Sequence, residues 1–355
     1  MKNFMVSRYA ALEAYVPGEQ PRDMEYVKLN TNESPFPPAP GVIEAINGEE
    51  LEKLKLYSDP EGKDLRDAVA AHFGVKRENV LLGNGSDEIL AFAFFAFCAG
   101  EKVLFPDITY GFYPVYAELV GADAEIIPLC DDFSIDINKY MGNRGMVVIA
   151  NPNAPTGMAL PLSEIEKVVA ANPDNVVLVD EAYVDFGGES AVSLVKKYEN
   201  LIVARTFSKS RSLAGARLGF GIASEGLIAD MNRIKYSFNP YNINRLTLLA
   251  GKASIEDVEY FEKNVRAIIE AREYTVAELT KRGFTVLESK ANFVFAKKEG
   301  KSGEELYASL KERGVLVRHF TKERIKNFNR ITVGTRADMQ TLILKIEKIL
   351  EEKRR

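Results

Sequence analysis

Lys209 is preceded by a hydroxyl residue, Ser208, and stands just beyond the apolar run Leu201-Ile-Val-Ala; Arg217 follows it by eight residues. An amine at the mouth of an α/β sheet can form an imine with a carbonyl, and a hydroxyl and a guanidinium beside it can hold a phosphate. The run Val176-Val-Leu-Val ends in Asp180-Glu181-Ala182-Tyr183, which sets a carboxylate and a phenol at the end of a second strand. Such a carboxylate can keep a pyridine nitrogen protonated, so that the ring accepts electrons from a carbanion, and a phenol three residues on can reach a ring oxygen. Together these groups point to pyridoxal phosphate. Singly none does: Ser-Lys alone describes a surface lysine, Asp180 alone a helix cap, Tyr183 alone a packed aromatic.

In open α/β sheets, ligands bind outside the carboxyl ends of the strands. Five segments fall at such ends: Gly83-Asn-Gly-Ser-Asp-Glu, Pro106 to Tyr110, Asn151-Pro-Asn-Ala-Pro-Thr-Gly157, Asp180 to Tyr183, and Thr206 to Lys209. Gly83 and Gly85 begin like a dinucleotide fingerprint, but the third glycine position holds Glu88. Free N–H groups at the start of a helix still suit a phosphate, although Asp87 and Glu88 already bring negative charge there. Tyr110 is either a core aromatic or a ring that lies against the cofactor. Tyr57 precedes a turn. Arg318 closes one strand and Arg330 opens another; they read either as edge arginines that limit aggregation or as donor forks for a doubly charged phosphate.

The elements that must position these groups are legible as alternating strands and helices. Apolar runs at Asn79-Val-Leu-Leu, Val103-Leu-Phe, Ala124-Glu-Ile-Ile, Met146-Val-Val-Ile-Ala, Val176-Val-Leu-Val and Leu201-Ile-Val-Ala alternate with helical patterns from Ser86, near Phe112 and from Ser163. That order predicts βαβ units and a mostly parallel sheet covered on both faces. Residues 1–40, rich in turn formers, read as an extended arm. Near Pro240 the texture changes: residues 244–282 read as long helices, followed by strands at Phe284-Thr-Val-Leu, Asn292-Phe-Val-Phe-Ala, Val315-Leu-Val-Arg and Ile331-Thr-Val, and a closing helix from about Asp338. The expected division is an arm over 1–40, a large domain over 41–245 and a smaller α+β domain over 246–355.

Composition narrows the function classes. The 355 residues exceed the rough guide of ~100–200 per domain, and 46 basic against 51 acidic residues, intermingled, leave no footprint for nucleic acid. Two cysteines and two histidines provide neither a disulfide framework nor a Cys- or His-based metal centre, and Cys98 falls in an apolar stretch where a buried thiol is expected. No signal-like apolar core and no run of membrane-spanning length is present, so a cytoplasmic protein is expected.

The chain resembles histidinol-phosphate aminotransferases, a branch of the fold-type-I pyridoxal phosphate aminotransferases. The likeness rests on Tyr15-Val-Pro-Gly, Leu29-Asn-Thr-Asn-Glu, Tyr57-Ser-Asp-Pro-Glu-Gly, Gly85-Ser-Asp-Glu, Thr109-Tyr-Gly-Phe-Tyr, Asn151-Pro-Asn-Ala-Pro-Thr-Gly, Asp180-Glu-Ala-Tyr, Ser208-Lys, Arg217 and Arg330-Ile-Thr-Val-Gly-Thr. It implies that Lys209 carries the cofactor as an imine and moves the substrate proton, that Asp180 pairs with the pyridine nitrogen, that Tyr183 meets the ring oxygen and that Tyr110 stacks on the ring. Gly85, Ser86, Asp87, Thr206, Ser208 and Arg217 would hold the cofactor phosphate, with Tyr57 reaching over from the second subunit of a homodimer. Tyr15, Arg318 and Arg330 match the positions that receive the substrate. The implied reaction is transamination of L-histidinol phosphate with 2-oxoglutarate, giving imidazole acetol phosphate and glutamate, in histidine biosynthesis. A threonine-phosphate decarboxylase-like lyase and an aromatic amino acid aminotransferase share the same ring chemistry and stand as alternatives. One departure matters: the family has Asn immediately before Pro-Thr-Gly, and here that residue is Ala154, which leaves Asn153 as the candidate amide at the cofactor.

Overall fold

The structure is a computed structural model that describes residues 4–10 and 12–352; the Lys353-Arg-Arg tail, expected to be a solvated end of the last helix, lies outside them. Its strands are β1 (Val27–Leu29), β2 (Val80–Gly83), β3 (Lys102–Pro106), β4 (Asp123–Ile127), β5 (Met146–Ala150), β6 (Val177–Asp180), β7 (Leu201–Thr206), β8 (Gly219–Ala223), β9 (Phe284–Val286), β10 (Phe293–Lys298), β11 (Val315–His319) and β12 (Phe328–Thr332). Seven form one sheet in the order β2-β8-β7-β6-β5-β3-β4, and five form a second in the order β1-β11-β12-β10-β9.

The large sheet is parallel from β7 through β4, as the alternating pattern predicts. Strands β5, β6 and β7 read as largely unbroken apolar runs because both faces are covered, whereas the edge strand β4 carries Asp123 and Glu125 and is mostly exposed. Ile202, Ala204, Leu178 and Val148 face a core shared with helix Ser86–Phe97. Leu201, Val203, Val177 and Ile149 face the opposite core, with Leu65 and Val69 of helix Lys63–Phe73 and Ile165 and Val168 of helix Leu162–Ala170. Cys98 is buried in the first of these cores, its thiol donating to Phe94 O and pushed up to about 12 by burial.

Four features differ from the sequence reading, each for a local reason. Strand β8 runs antiparallel between β2 and β7. Two of its five residues, Gly219 and Gly221, are glycines, which hides the strand from any apolar pattern. The turn-rich arm contributes β1, which pairs in parallel with β11 at the edge of the second sheet. The helical stretch after Pro240 breaks at Asp257, whose carboxylate caps helix Val258–Lys281 through Tyr260 N at 3.1 Å. The preceding helix, Arg245–Glu256, buries Ala250 and Ile255 in the large sheet's core, whereas Val265 and Ile268 of the next helix join the core of the small sheet. By packing, then, the handover between the two bodies falls at Asp257 and not at residue 246. Arg330 lies in the middle of β12, directly opposite Arg318 of β11, and both strands are interior. The edge-arginine reading therefore does not hold.

Gly219 is fixed by close approach. A Cβ there would run into the backbone nitrogen of Ser86, where the turn after β2 crosses β8. At Gly221 a Cβ would meet only the Ile89 side chain, at 3.0 Å. Gly219→Ala is expected to lose about 1–3 kcal/mol of folding free energy, the usual cost of overpacking. Gly221→Ala should lose less, with urea unfolding of the two variants as the check.

Candidate active site

Asp180 is the last residue of β6 and is buried. Its Oδ2 accepts from the Tyr113 hydroxyl at 2.8 Å and its Oδ1 from Ala182 N at 3.1 Å, so both partners are neutral. Burial dominates and pushes this carboxyl up to about 6; the Tyr113 and Ala182 hydrogen bonds pull the other way and only partly offset it. A buried acid of this kind is completed by a cation placed against it.

The loop after β7 carries the amine. Thr206 Oγ1 accepts from Ser208 N at 3.1 Å and donates to Leu218 O at 3.4 Å, so Thr206 shapes the loop. Lys209 Nζ donates to Thr31 O at 3.3 Å and lies 5.8 Å from the centre of the Tyr183 ring. Arg217, just before β8, adopts a left-handed backbone with φ 53°, which costs a non-glycine residue about 1 kcal/mol. From there its guanidinium reaches Ser208 Oγ at 3.5 Å and Asp87 Oδ2 at 3.0 Å. Gly85, with φ 80°, precedes helix Ser86–Phe97, and a Cβ on it would lie 2.6 Å from Arg217 Nη2. Arginine, serine hydroxyl and helix start thus share one corner, a set of donors suited to a phosphate.

A second corner is built by the arm and the small sheet. The Tyr15 ring stacks on Phe112 at 4.2 Å and leans on Tyr110 at 6.1 Å. Burial raises the Tyr15 hydroxyl, with Arg330 and Arg318 opposing it. Arg330 is lowered by burial; its Nη2 donates to Asn30 O at 3.0 Å and its buried Nε has no partner. Such an orphan donor, between the Phe293 and Phe320 rings, is suited to an incoming anion.

Lys209, Asp180, Tyr183, Gly85, Ser86, Asp87, Tyr110, Ser208, Arg217, Tyr15 and Arg330 are therefore neighbours around one site between the two sheets. Four expected residues stand differently: Thr206, expected at the phosphate, spends its hydroxyl on Leu218 O and Ser208 N within its own loop, and the others are Asn153, Arg318 and Tyr57. Asn153 spends its amide on Ile108 O at 2.9 Å and Thr156 Oγ1 at 3.2 Å, and its oxygen on Thr109 Oγ1, because it pins two loops together; it has no donor left for a cofactor. Arg318 donates to the carbonyls of Pro17 and Val16 and so fastens the arm. Tyr57 is 80% exposed and stacks on Tyr241 at 4.5 Å. Tyr110 meets Tyr113 edge-on and donates to Asp87 at 2.8 Å.

The sequence reading missed Tyr113, the donor to Asp180, although it sits three residues after Tyr110, in the first turn of helix Phe112–Val120. It also missed Asn32, whose amide donates to the Tyr183 hydroxyl at 3.0 Å. Beneath the opening, buried Arg205 pairs with Glu181 at 3.2 Å and with Asp185, and Asp185 in turn accepts from Ser210. This network ties the residues next to Asp180 and Lys209 to each other, and nothing in their spacing signalled it.

The family model for aminotransferases of class I and II matches residues 24–346. The chain belongs to the class I and II aminotransferase family. It is 48% identical to a histidinol-phosphate aminotransferase of Brachyspira hyodysenteriae over 353 residues, 99% of this chain and all of the relative. It is 52% identical to one of Acinetobacter baumannii over 91% of each chain. Among solved structures, the histidinol-phosphate aminotransferase of Clostridium acetobutylicum superimposes with a TM-score of 0.85 at 26% identity, covering 92% of this chain and 99% of that one. The enzyme of Sinorhizobium meliloti, solved in complex with pyridoxal-5'-phosphate, gives 0.83 at 25% over 92% of each. The two-sheet architecture is that of the fold-type-I aminotransferases.

The Asp180 shift has a signed consequence for this aminotransferase without its cofactor. The folded carboxyl keeps its proton up to about pH 6, whereas the unfolded one releases it near ~3.9. Stability from this residue is complete at low pH and falls as pH rises from about 4 to about 6, by about 3 kcal/mol in total. Unfolding free energies of wild type and Asp180→Asn across that window should diverge by about this amount in favour of the asparagine variant. A constant difference would mean that the carboxyl titrates normally.

Proposed function

We propose that this chain is a pyridoxal phosphate-dependent histidinol-phosphate aminotransferase that moves the amino group of L-histidinol phosphate to 2-oxoglutarate, in histidine biosynthesis. The observation that carries the substrate side is Arg330, half-buried, with a buried and unpartnered Nε, its guanidinium donating to Asn30 O beside the Thr31 O that accepts from Lys209. The full-length likeness to relatives of that name supports the choice among aminotransferases.

The residues fit the cofactor. Asp180 is a buried acid lacking a cation, and a protonated pyridine nitrogen is one. The backbone at Gly85, the Ser86 end of its helix, Ser208 and Arg217 offer donors to a phosphate, and Asp87 holds Arg217 and Tyr110 in place. When bound, pyridoxal phosphate supplies an aldehyde for amine exchange and a ring that draws electrons from the carbon beside the nitrogen. Lys209 presents the exchanging amine and, once free, takes a proton from one carbon and returns it to another. Tyr113, which donates to Asp180, would hold it for the ring nitrogen, and Tyr183 would donate to the ring oxygen. Arg330 receives the donor's phosphate or the acceptor's carboxylate, since a guanidinium fork bonds either. Arg318, opposite it, gives up arm carbonyls to join it, and Tyr15 closes the opening. Asn153 has no role at the ring in this reading.

The working unit is a homodimer. Tyr57, with Leu54, Leu56 and Phe238, leaves large apolar groups exposed, which supports a second subunit covering them and Tyr57 serving that subunit's phosphate corner.

Incubation with histidinol phosphate and 2-oxoglutarate should yield glutamate, and Lys209→Ala should keep noncovalent cofactor binding while losing several orders of magnitude in turnover. Near-normal turnover by that variant ends the assignment. Arg330→Ala is expected to weaken both half-reactions by roughly 2–5 kcal/mol each, read from single-turnover constants with each substrate. Hybrids of Lys209→Ala and Tyr57→Ala subunits should regain one intact site per dimer, measured as activity at limiting cofactor. Hybrids that gain nothing would assign Tyr57 to its own subunit or to no site.

A further inference from the structure

We infer that Asn32 is a positioning residue that holds the Tyr183 phenol as a hydrogen-bond donor toward the cofactor, an inference that rests on the proposed pyridoxal phosphate chemistry. Asn32 is 1% exposed and left-handed, with φ 57°, a conformation that Asn and Asp tolerate best among non-glycine residues. Its backbone N–H donates to Thr332 Oγ1 at 2.9 Å. Having accepted one hydrogen, that hydroxyl gives its own to Asn32 Oδ1, also at 2.9 Å. The carbonyl end of the side chain is thereby taken, and the Nδ2 end turns to the Tyr183 oxygen at 3.0 Å. The backbone carbonyl of Asn32 is fixed in turn by Asn292 Nδ2 at 3.1 Å. Asn32 is thus held by β12 and by the turn before β10, with an Nδ2 hydrogen directed onto the phenol.

A phenol oxygen that accepts from an amide keeps its own hydrogen for another acceptor and donates it more strongly through polarisation. Phe293 meets the Tyr183 ring edge-on at 5.0 Å and fixes its plane. The neighbouring residue, Thr31, accepts from Lys209 Nζ, so a single dipeptide addresses both the amine and the phenol. Ala154 has no amide and that of Asn153 is spent, which leaves Tyr183 as the side-chain donor whose direction matters.

The test is the pH midpoint of the visible absorption change of the cofactor-loaded protein. A donor to the ring oxygen draws negative charge away from the neighbouring imine nitrogen, eases loss of its proton and lowers the midpoint. Asn32→Asp keeps the size, the backbone preference and an acceptor for Thr332, but offers Tyr183 an acceptor in place of a donor, so the phenol hydrogen turns away from the ring. Tyr183→Phe and Asn32→Asp should each raise the midpoint by about 1–2 pH units, the loss of one hydrogen bond to a charged oxygen. Asn32→Ala, which frees the phenol and also loses the Thr332 contact, should raise it less. The double variant should match Tyr183→Phe alone. If Asn32→Asp fails to retain cofactor, Thr332→Val, which unlatches the amide, should show a smaller upward shift, and no shift there overturns the inference. An unmoved midpoint in Asn32→Asp while Tyr183→Phe shifts overturns it and leaves the cofactor reading intact. A shift in Asn32→Ala as large as in Asn32→Asp, or additive shifts in the double variant, reduces Asn32 to a structural or purely charge-based role. No shift in Tyr183→Phe overturns the role of Tyr183, and the inference with it.

Discussion

A carboxylate kept dry at the end of a central strand is costly, and the site is organised around that cost at Asp180. Water is excluded because β6 is interior, flanked by β5 and β7, with cores on both faces. Two neutral hydrogen bonds, from Tyr113 and Ala182, orient the group without neutralising it. Lys209 offsets part of the remaining deficit from a distance, and burial still holds the carboxyl up.

The opening belongs to both sheets. Lys209, Asp180 and Arg217 come from the large one, while Arg330, Asn292 and Thr332 come from the small one. The Asn30-Thr-Asn segment lies between, with Asn30 O accepting from Arg330, Thr31 O from Lys209 and Asn32 donating to Tyr183. Arg272, buried in helix Val258–Lys281, adds a second tie by donating to Phe186 O and Ala291 O. Small shifts between the bodies therefore register directly at the amine and the phenol.

The large parallel sheet and the strand-end residues were legible because its central strands β5, β6 and β7 are near-continuous apolar runs ended by polar clusters, and that pattern depends on local sequence alone. Lys209, Asp180 and Arg217 could be read this way. The antiparallel β8 could not, since its glycines answer to the backbone of Ser86 and not to an apolar core. Nor could β1, three residues whose partner is at Val315. Tyr113, Asn32 and the Arg205 network act through contacts between segments far apart in the chain. Asn153 shows the converse: a residue of the right type next to the right position, turned the other way by Ile108, Thr109 and Thr156.

The pairing of Val27–Leu29 with Val315–Val317 also bears on how the protein is made. The strands of the large sheet lie between residues 80 and 223 and can assemble while the chain is still being synthesised, each βα unit finding neighbours already present. The strand at Val27 has to remain unpaired until residues near 315 emerge, because its partner strand begins only at Val315. Thr31 and Asn32 follow that strand directly and reach their places over Lys209 and Tyr183 only when it docks. A nascent chain thus carries Lys209 and the buried acid Asp180 before the segment that contacts Lys209 and Tyr183 can dock.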